Sequence, residues 1–122
     1  MKSRIDRLTR AYQLGREQLA AMPSLPCSHT WISTEEWVGG PCAVPIHSAK
    51  PGTLLAVTPS LHNYNRWRVT HTGCGAAIGD ALQLDEALAL LVTLSADDVE
   101  ASVAGDDEAL DRVADVLDGV GQ

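Results

Sequence analysis

The chain has 122 residues, of which 45% are hydrophobic and 20% charged, and its formal net charge is −7 at pH 7. This length predicts a single domain over residues 1–122, and the composition excludes an intrinsically disordered chain. The sequence contains no run of about 18 apolar residues, which excludes a predicted membrane-spanning helix.

The N-terminal segment and the cysteines both indicate a cytoplasmic protein. Basic residues are spread through residues 1–22 without a continuous apolar block, a pattern unlike that of a secretion signal. The three cysteines are Cys27, Cys42 and Cys74, and an odd number argues against a complete disulfide framework. A reducing compartment is therefore expected.

The net negative charge of the chain comes entirely from its C-terminal part. Residues 1–70 contain eight basic and four acidic residues, whereas residues 71–122 contain one arginine and twelve acidic residues, so the local balances are +4 and −11. This separation predicts either an acidic surface that steers the protein toward a basic partner or simply the solvated outer faces of C-terminal helices.

Two helical segments are predicted in the N-terminal third. Helical spacing of apolar residues indicates a first helix over residues 3–21, capped by Ser3 and ended by two following prolines. The segment 30–40, TWISTEEWVGG, contains Ser33 and Glu36 at the spacing of a capping box. It predicts one short helical turn that ends at two glycines.

From Ala43 onward the pattern predicts an antiparallel meander. AVPIHS is expected to be an edge strand, because its proline has no backbone donor for a central position. Pro51 and Gly52 predict a type II turn that leads into a second strand over 53–58. RWRVTH at 66–71 alternates as a third strand, and a TGCG turn then leads into the strand AAIG. One face of the third strand carries Trp67, Val69 and His71.

The C-terminal part predicts three helical segments. Asp85 is expected to cap a helix that ends at Leu94. This helix has apolar residues on nearly all of its faces and is therefore expected to pack against the sheet. Ser95 caps a second, short segment, and a last helix begins at Asp107 and stops at Gly119. Together the patterns predict an α+β domain. It has a small antiparallel sheet of three or four strands, an N-terminal helix, and two or three C-terminal helices on one face.

Six cysteine and histidine residues form three close pairs that could converge on a tetrahedral zinc site. They are Cys27, His29, Cys42, His47, His71 and Cys74. The spacings match no familiar zinc finger or ribbon, and none of the pairs is a CxxC. No metal is therefore predicted, and a zinc-binding protein stays an alternative.

The segment 65–75, NRWRVTHTGCG, places His71 three residues before Cys74 in a glycine-flanked turn. A thiolate beside a base can act as a nucleophile, but the segment indicates no third group to orient the base, so neither a catalytic residue nor a cofactor is predicted. Cys74 is expected to fill a slot for a small side chain, and Gly73 and Gly75 to supply the backbone angles of the turn. His71 is expected to be a hydrogen-bonded pin of the hairpin.

The pattern WxVTHxxCG, followed by an apolar segment and an alanine-rich helix, covers residues 66–94. It resembles a hairpin-plus-helix arrangement of small accessory proteins from bacteriophages, plasmids and integrated elements, in which Ser or Thr stands at the position of Cys74. The resemblance implies a fold element and a mobile-element setting. The residues that match are Trp67, Val69, Thr70, His71 and Gly75, whereas Cys74 departs from the usual hydroxyl residue.

The functional prediction is a non-enzymatic binding protein that binds a basic protein surface through its acidic C-terminal half. Together with the resemblance, this prediction narrows to a mobile-element-encoded inhibitor, such as an anti-CRISPR or similar counter-defence factor. Its expected partner is a nucleic-acid-binding host complex. The expected partner contacts are Asp97, Asp98, Glu100, Asp106, Asp107, Glu108, Asp111 and Asp115.

The main alternative is a small nucleic-acid-binding regulator that uses a set of N-terminal and central arginines to contact phosphates. These arginines are Arg4, Arg7, Arg10, Arg66 and Arg68. Direct nucleic-acid binding and membrane binding are otherwise not expected. A homodimer is an open alternative, because three tryptophans and a sheet edge could form an interface.

Overall fold

The computed structural model describes residues 23–26, 28–32, 42–61, 63–73, 75 and 77–120. Its strands are β1 (His29–Ile32), β2 (Cys42–Pro45), β3 (Ser48–Ala49), β4 (Leu55–Pro59), β5 (Trp67–His71) and β6 (Ala77–Leu82). Its helices are α1 (Leu84–Thr93), α2 (Ala96–Val103) and α3 (Asp107–Val120). The fold class is α+β, as the sequence predicts. The predicted helix over 3–21 and the helical turn within 33–40 lie outside the described residues, as do Cys27 and Cys74.

Strands β3, β4, β5 and β6 form one antiparallel sheet in that order. The predicted type II turn between β3 and β4 is confirmed, because Gly52 has a φ of 74° and the N–H of Thr53 donates to the carbonyl of Lys50 at 3.2 Å. The turn between β5 and β6 is closed by a bond of 2.7 Å from the N–H of Gly75 to the carbonyl of His71. Gly75 also has a φ of 74°, which a residue with a side chain rarely adopts.

The main hydrophobic core lies between one face of this sheet and the three helices. The cross-strand pairs on that face are Leu55 with His71, Val57 with Val69, and Pro59 with Trp67. Helix α1 packs against β4, β5 and β6, and α3 packs against α1 and α2. The predicted alternation of β5 is therefore confirmed on this face, where Val69 is fully buried and Trp67 packs against the core.

The opposite face of β4 and β5 is also buried, although three of its four side chains, those of Thr58, Arg68 and Thr70, are polar. The hydroxyls of Thr58 and Thr70 are hydrogen-bonded at 2.9 Å. Arg68, with an exposed fraction of 4%, donates from Nε to Thr70 Oγ1 at 3.1 Å and from Nη2 to the carbonyl of Gly75 at 3.0 Å. These bonds offset the cost of removing a guanidinium and two hydroxyls from water.

Strands β1 and β2 form a second antiparallel sheet of two strands, and β2 packs against β4. The prediction of AVPIHS as one strand of the meander is wrong, because β2 ends at the proline and Ser48 begins β3. Between them, the N–H of Ile46 donates to the carbonyl of Ser28, and the N–H of His47 donates to the carbonyl of Val57, both at 2.8 Å. The chain thus passes from one sheet to the other at these two residues.

The two edges of the four-stranded sheet are β3 and β6. β3 is two residues long. β6 contains one extra residue relative to β5 at each of two places. The paired residues are Trp67 with Leu82, Val69 with Gly79 and Thr70 with Ala77, so the register shifts between the first and second pairs and again between the second and third. Near the end of β6, Ala81 has a φ of 57°, and its N–H donates to Asp80 Oδ1 at 2.7 Å. The extra residues are β-bulges, which bend and twist a strand.

The N-terminus of α1 differs from the prediction. Asp85 is not the cap, because the residue before the helix is Gln83, whose N–H donates to the carboxylate of Glu86 at 2.8 Å. Asp85 instead lies in the first turn, where a negative charge is favourable. The predicted cap of α2 is confirmed, since the Ser95 hydroxyl accepts a bond of 3.3 Å from the N–H of Asp98.

Helix α3 begins at Asp107, as predicted, and Asp106 caps it by accepting bonds of 3.0 and 3.2 Å from two backbone N–H groups of the first turn. The prediction that Gly119 stops the helix is wrong, because α3 continues to Val120. Gly119 lacks the positive φ that ends a helix, whereas Gly105, between α2 and α3, has a φ of 105°. Within the described segments, no helix is long and apolar enough to cross a membrane.

The C-terminus of α1 is stabilised by a residue that is distant in sequence. The helix has no basic residue in its last turn. Instead, Lys50 Nζ donates to the carbonyl of Val92 at 3.1 Å and to that of Leu94 at 2.6 Å. The ammonium satisfies terminal carbonyls and complements the negative end of the helix dipole, so it ties the turn between β3 and β4 to the helical layer.

The substitution Lys50→Met is expected to lower the free energy of unfolding by about 1 to 2 kcal/mol, because it removes two charge-assisted bonds at a partly exposed site. Urea denaturation measures the difference. Arg112→Met is the control, since Arg112 forms an exposed ion pair with Asp98 that contributes less than about 1 kcal/mol. An effect of Lys50→Met no larger than that of the control contradicts the capping role.

Candidate functional site

A contact between His71 and Glu100 joins the end of β5 to α2. The His71 imidazole is the last side chain of β5 on the core face, with an exposed fraction of 4%, and its Nε2 is hydrogen-bonded to Glu100 Oε1. The Glu100 side chain is 49% exposed. The hydrogen bond expected of His71 is therefore present, and it pins the hairpin to a helix.

Gly73 makes room for this imidazole. A Cβ atom at Gly73 would lie 2.8 Å from His71 Cε1 and 3.1 Å from Leu54 Cδ1, closer than packed atoms approach. The prediction that Gly73 and Gly75 both supply unusual backbone angles is wrong for Gly73, because only Gly75 of the two has a positive φ. Gly73 instead leaves the space that the buried ring occupies.

A groove of about 310 Å³ opens above this pair, between the turn that leads into β4 and helix α2. The residues that line it are Gly52, Thr53, Leu54, Leu55, His71, Ala96, Asp97, Val99 and Glu100. Its walls are mainly apolar, and the two acidic residues that line it, Asp97 and Glu100, lie on α2. None of the described residues that line it is a lysine or an arginine. The groove is suited to a small group with an apolar body and a positive charge.

A histidine bonded to a carboxylate is also the pair used in general-base catalysis. The nearby hydroxyls of the described segments are not directed at His71. Thr53 Oγ1 donates to the carbonyl of Lys50 at 2.7 Å, and Thr72 Oγ1 donates to the carbonyl of Leu54 at 3.2 Å. The described geometry therefore does not assemble a nucleophile with this base.

The candidate metal ligands are dispersed in the part of the chain that the structure describes. His29 and His47 are exposed and are bonded to the hydroxyls of their neighbouring serines at 3.0 and 2.8 Å. The His47 ring also meets Trp67 edge-on, with 5.0 Å between the ring centroids. Among the described residues, no three His, Cys, Asp or Glu side chains are grouped so that they could hold a metal.

The eight predicted partner contacts fall into two groups. Asp97, Asp98 and Glu100 lie on α2, and Asp106, Asp107, Glu108, Asp111 and Asp115 lie on or just before α3. Three of the eight have intramolecular roles. Asp98 is paired with Arg112 at 3.0 Å, Glu100 is bonded to His71, and Asp106 caps α3.

An acidic stripe runs along the outer face of α3. It consists of Asp107, Asp111 and Asp115, which are all exposed and follow one another at four-residue steps. Residues four apart lie on the same face of a helix, about 6 Å apart along its axis. The stripe is therefore a row of like charges on one surface.

Of the five arginines in the alternative hypothesis, the structure describes two, and these two do not share an exposed surface. Arg4, Arg7 and Arg10 lie outside the described residues, and Arg66 is exposed. Arg68 is buried, with its guanidinium bonded to Thr70 and Gly75. Its assignment as a phosphate contact is therefore wrong, because strand alternation places it on the buried face of β5 opposite the main core.

The acidic residues of α2 and α3 are visible in the sequence, whereas the groove and the partner of His71 are not. Residues 52–55 and 96–100 meet only in the folded chain, and no local pattern links them. The geometry defines an α+β protein with an acidic helical surface and a narrow groove beside it. No protein-family model matches the sequence, and no curated protein or solved structure matches it either.

Proposed function

We propose that this chain is a non-enzymatic binding protein that docks its acidic helical surface onto a basic surface of another protein. The observation that carries the proposal is the acidic stripe of Asp107, Asp111 and Asp115 on α3. Like charges four residues apart destabilise a helix by about 0.2 to 0.5 kcal/mol per pair. This cost is removed when a positively charged surface covers the stripe.

The surrounding charges support the same proposal. Arg112 is the only lysine or arginine from residue 71 to residue 122, and it is paired with Asp98 at 3.0 Å. The stripe thus has little opposite charge of its own on α2 and α3. Association with a basic partner would be accelerated by this field, most strongly at low ionic strength.

A finer form of the proposal names the class of partner. A row of carboxylates on a small protein can occupy a groove that normally binds nucleic acid, as a counter-defence inhibitor of a CRISPR-type complex would. The support for this form is the charge of α3 together with the mobile-element resemblance of residues 66–94. The buried position of Arg68 disfavours the alternative, in which the chain itself contacts nucleic acid.

Two double variants with equal changes in net charge test the proposal. Asp111→Lys with Asp115→Lys reverses the stripe, whereas Asp80→Lys with Asp85→Lys reverses two exposed carboxylates on β6 and α1. Tagged wild-type protein captures the partner from host lysate, mass spectrometry identifies it, and association rates are then measured with the purified partner. The stripe variant is expected to associate about tenfold more slowly at low salt, and the other variant at most about twofold more slowly.

The difference between the two variants should shrink as salt is added, because exposed charges are screened. Equal rates for both variants at low salt would refute docking through the stripe. The finer form predicts in addition that the chain displaces an oligonucleotide from its partner. A mobility shift of the oligonucleotide with the chain alone would instead support the nucleic-acid-binding alternative.

A further inference from the structure

We infer that the groove beside α2 receives one arginine side chain from the partner's basic surface. This inference rests on the proposed function, which supplies the basic surface. It assigns a specific contact to a part of the molecule that is separate from the acidic stripe. The groove, at about 310 Å³, lies at the lower end of the range of ligand sites, about 300 to 1,000 Å³, and so suits a single side chain.

The walls of the groove match the aliphatic stem of an arginine. Leu54 lines the groove from the segment before β4 and is 46% exposed although it is a large apolar residue. Leu55 and Val99 are buried and form apolar surface beneath it. Long cationic side chains commonly cover such surface with their methylene groups while the charged head stays at a polar end.

The polar end of the groove is formed by Asp97 and Glu100, which lie three residues apart on α2. Residues at this spacing are neighbours on one face of a helix. The hydrogen bond to the buried His71 restrains the Glu100 side chain and engages Oε1. Glu100 therefore loses less side-chain entropy when Oε2 accepts a bond from a ligand.

Two neighbouring carboxylates favour arginine over lysine. A guanidinium is planar and presents five N–H donors in a fixed fork, so its different N–H groups can donate to two carboxylates at once. An ammonium is a compact and strongly hydrated charge that gains less from this arrangement. None of the described lining residues is a lysine or an arginine, so an arginine of the partner would meet two carboxylates and no like charge among these residues.

The first test uses Nα-acetyl-arginine N-methylamide as the probe and NMR titration of the full chain as the readout. The expected result is binding in the millimolar range, with shifts of the backbone amides of residues 52–55 and 96–100. The matching citrulline compound, which has the same shape without the charge, should bind at least about tenfold more weakly. The matching lysine compound should also bind more weakly.

The second test compares two variants that each remove one negative charge. Asp97→Asn should weaken binding of the arginine compound about tenfold, because it removes a charge-assisted bond. Asp80→Asn makes the same change on β6, outside both the groove and the acidic stripe, and should weaken binding less than about twofold.

Several outcomes would overturn the inference: no binding, shifts outside the groove, equal binding of the citrulline or lysine compound, or equal effects of the two variants. The inference about the groove and the proposed function of the stripe can be refuted independently of each other. If the arginine compound does not bind but reversal of the stripe slows association, the inference fails and the proposed function stands. If the compound binds and reversal of the stripe has no effect, the groove stands as an arginine site without the proposed docking surface.

Discussion

Replacing Arg68 by methionine is expected to lower the free energy of unfolding by about 3 kcal/mol, because each bond from a buried charged donor contributes about 1.5 to 3 kcal/mol. Arg68 is buried on the face of β5 opposite the main core, with an exposed fraction of 4%, and its guanidinium is bonded to Thr70 Oγ1 and to the carbonyl of Gly75. Methionine fills part of the space but leaves both oxygens without this donor in a buried region. Urea denaturation monitored by tryptophan fluorescence measures the change.

The matched control is Arg66→Met, which removes the same charge from an exposed position two residues earlier. Its expected effect is within about 0.5 kcal/mol. The loss of unfolding free energy for Arg68→Lys should lie between those of the two methionine variants, since an ammonium can replace one of the bonds but not the fork of donors. Equal denaturation midpoints for Arg68→Met and Arg66→Met would show that the network contributes nothing to stability.

Leu90→Ala is expected to lower the free energy of unfolding by about 3 to 5 kcal/mol, the range typical of buried leucines whose truncation leaves a cavity. Leu90 is fully buried in α1 and packs into the main core. The control on the same helix is Val92→Ala, since Val92 is 75% exposed. It should change the free energy of unfolding by less than about 0.5 kcal/mol. Comparable losses for the two variants would contradict the described packing of α1.

A double-mutant cycle with Gly79 makes this prediction sharper. A Cβ at Gly79 would lie 2.9 Å from Leu90 Cδ2 and 3.2 Å from Leu117 Cδ2, so Gly79→Ala overpacks the contact between β6 and α1. Alone it should cost about 1 to 3 kcal/mol. In the Leu90→Ala background the closest atom is gone, and the same substitution should cost at least about 1 kcal/mol less. Strictly additive effects of the two substitutions would rule out this contact.

The parts of the fold that could be predicted are those in which neighbouring residues determine the structure. Pro51 and Gly52 specify their turn by their own backbone preferences, and the two-residue period of β5 places Val69 in the core. Ser95 and Asp107 mark helix starts for equally local reasons. Each of these features depends on residues within a few positions of one another.

The features that were missed depend on long-range contacts or on competing local choices. Asp85 is a good cap by residue type, but Glu86 reaches back to the N–H of Gln83 and the helix begins earlier. The partner of His71 lies 29 residues away, in an element whose packing the alternation of β5 does not reveal. The requirement for glycine at position 73 also depends on a contact, because a Cβ there would clash with the ring of His71.

The same limit applies to the candidate site. Acidic spacing on α3 is visible in the sequence, because a helix makes a four-residue repeat into a stripe. The groove requires a turn at residues 52–55 to meet a helix that begins more than 40 positions later. The assignment of Arg68 as a phosphate contact failed because both faces of β5 are buried, so its side chain lies in the interior.

The shapes of the two sheet edges have a consequence for self-association. A chain that adds to a sheet needs a straight run of alternating backbone donors and acceptors along the exposed edge. The two residues of β3 offer too short a run, and the two bulges of β6 interrupt the repeat and twist it away from a flat template. Copies of this chain are thus poorly suited to extend the four-stranded sheet from one molecule into the next. At high concentration the expected route to a homodimer is contact between side chains, and fibrillar growth along this sheet is disfavoured.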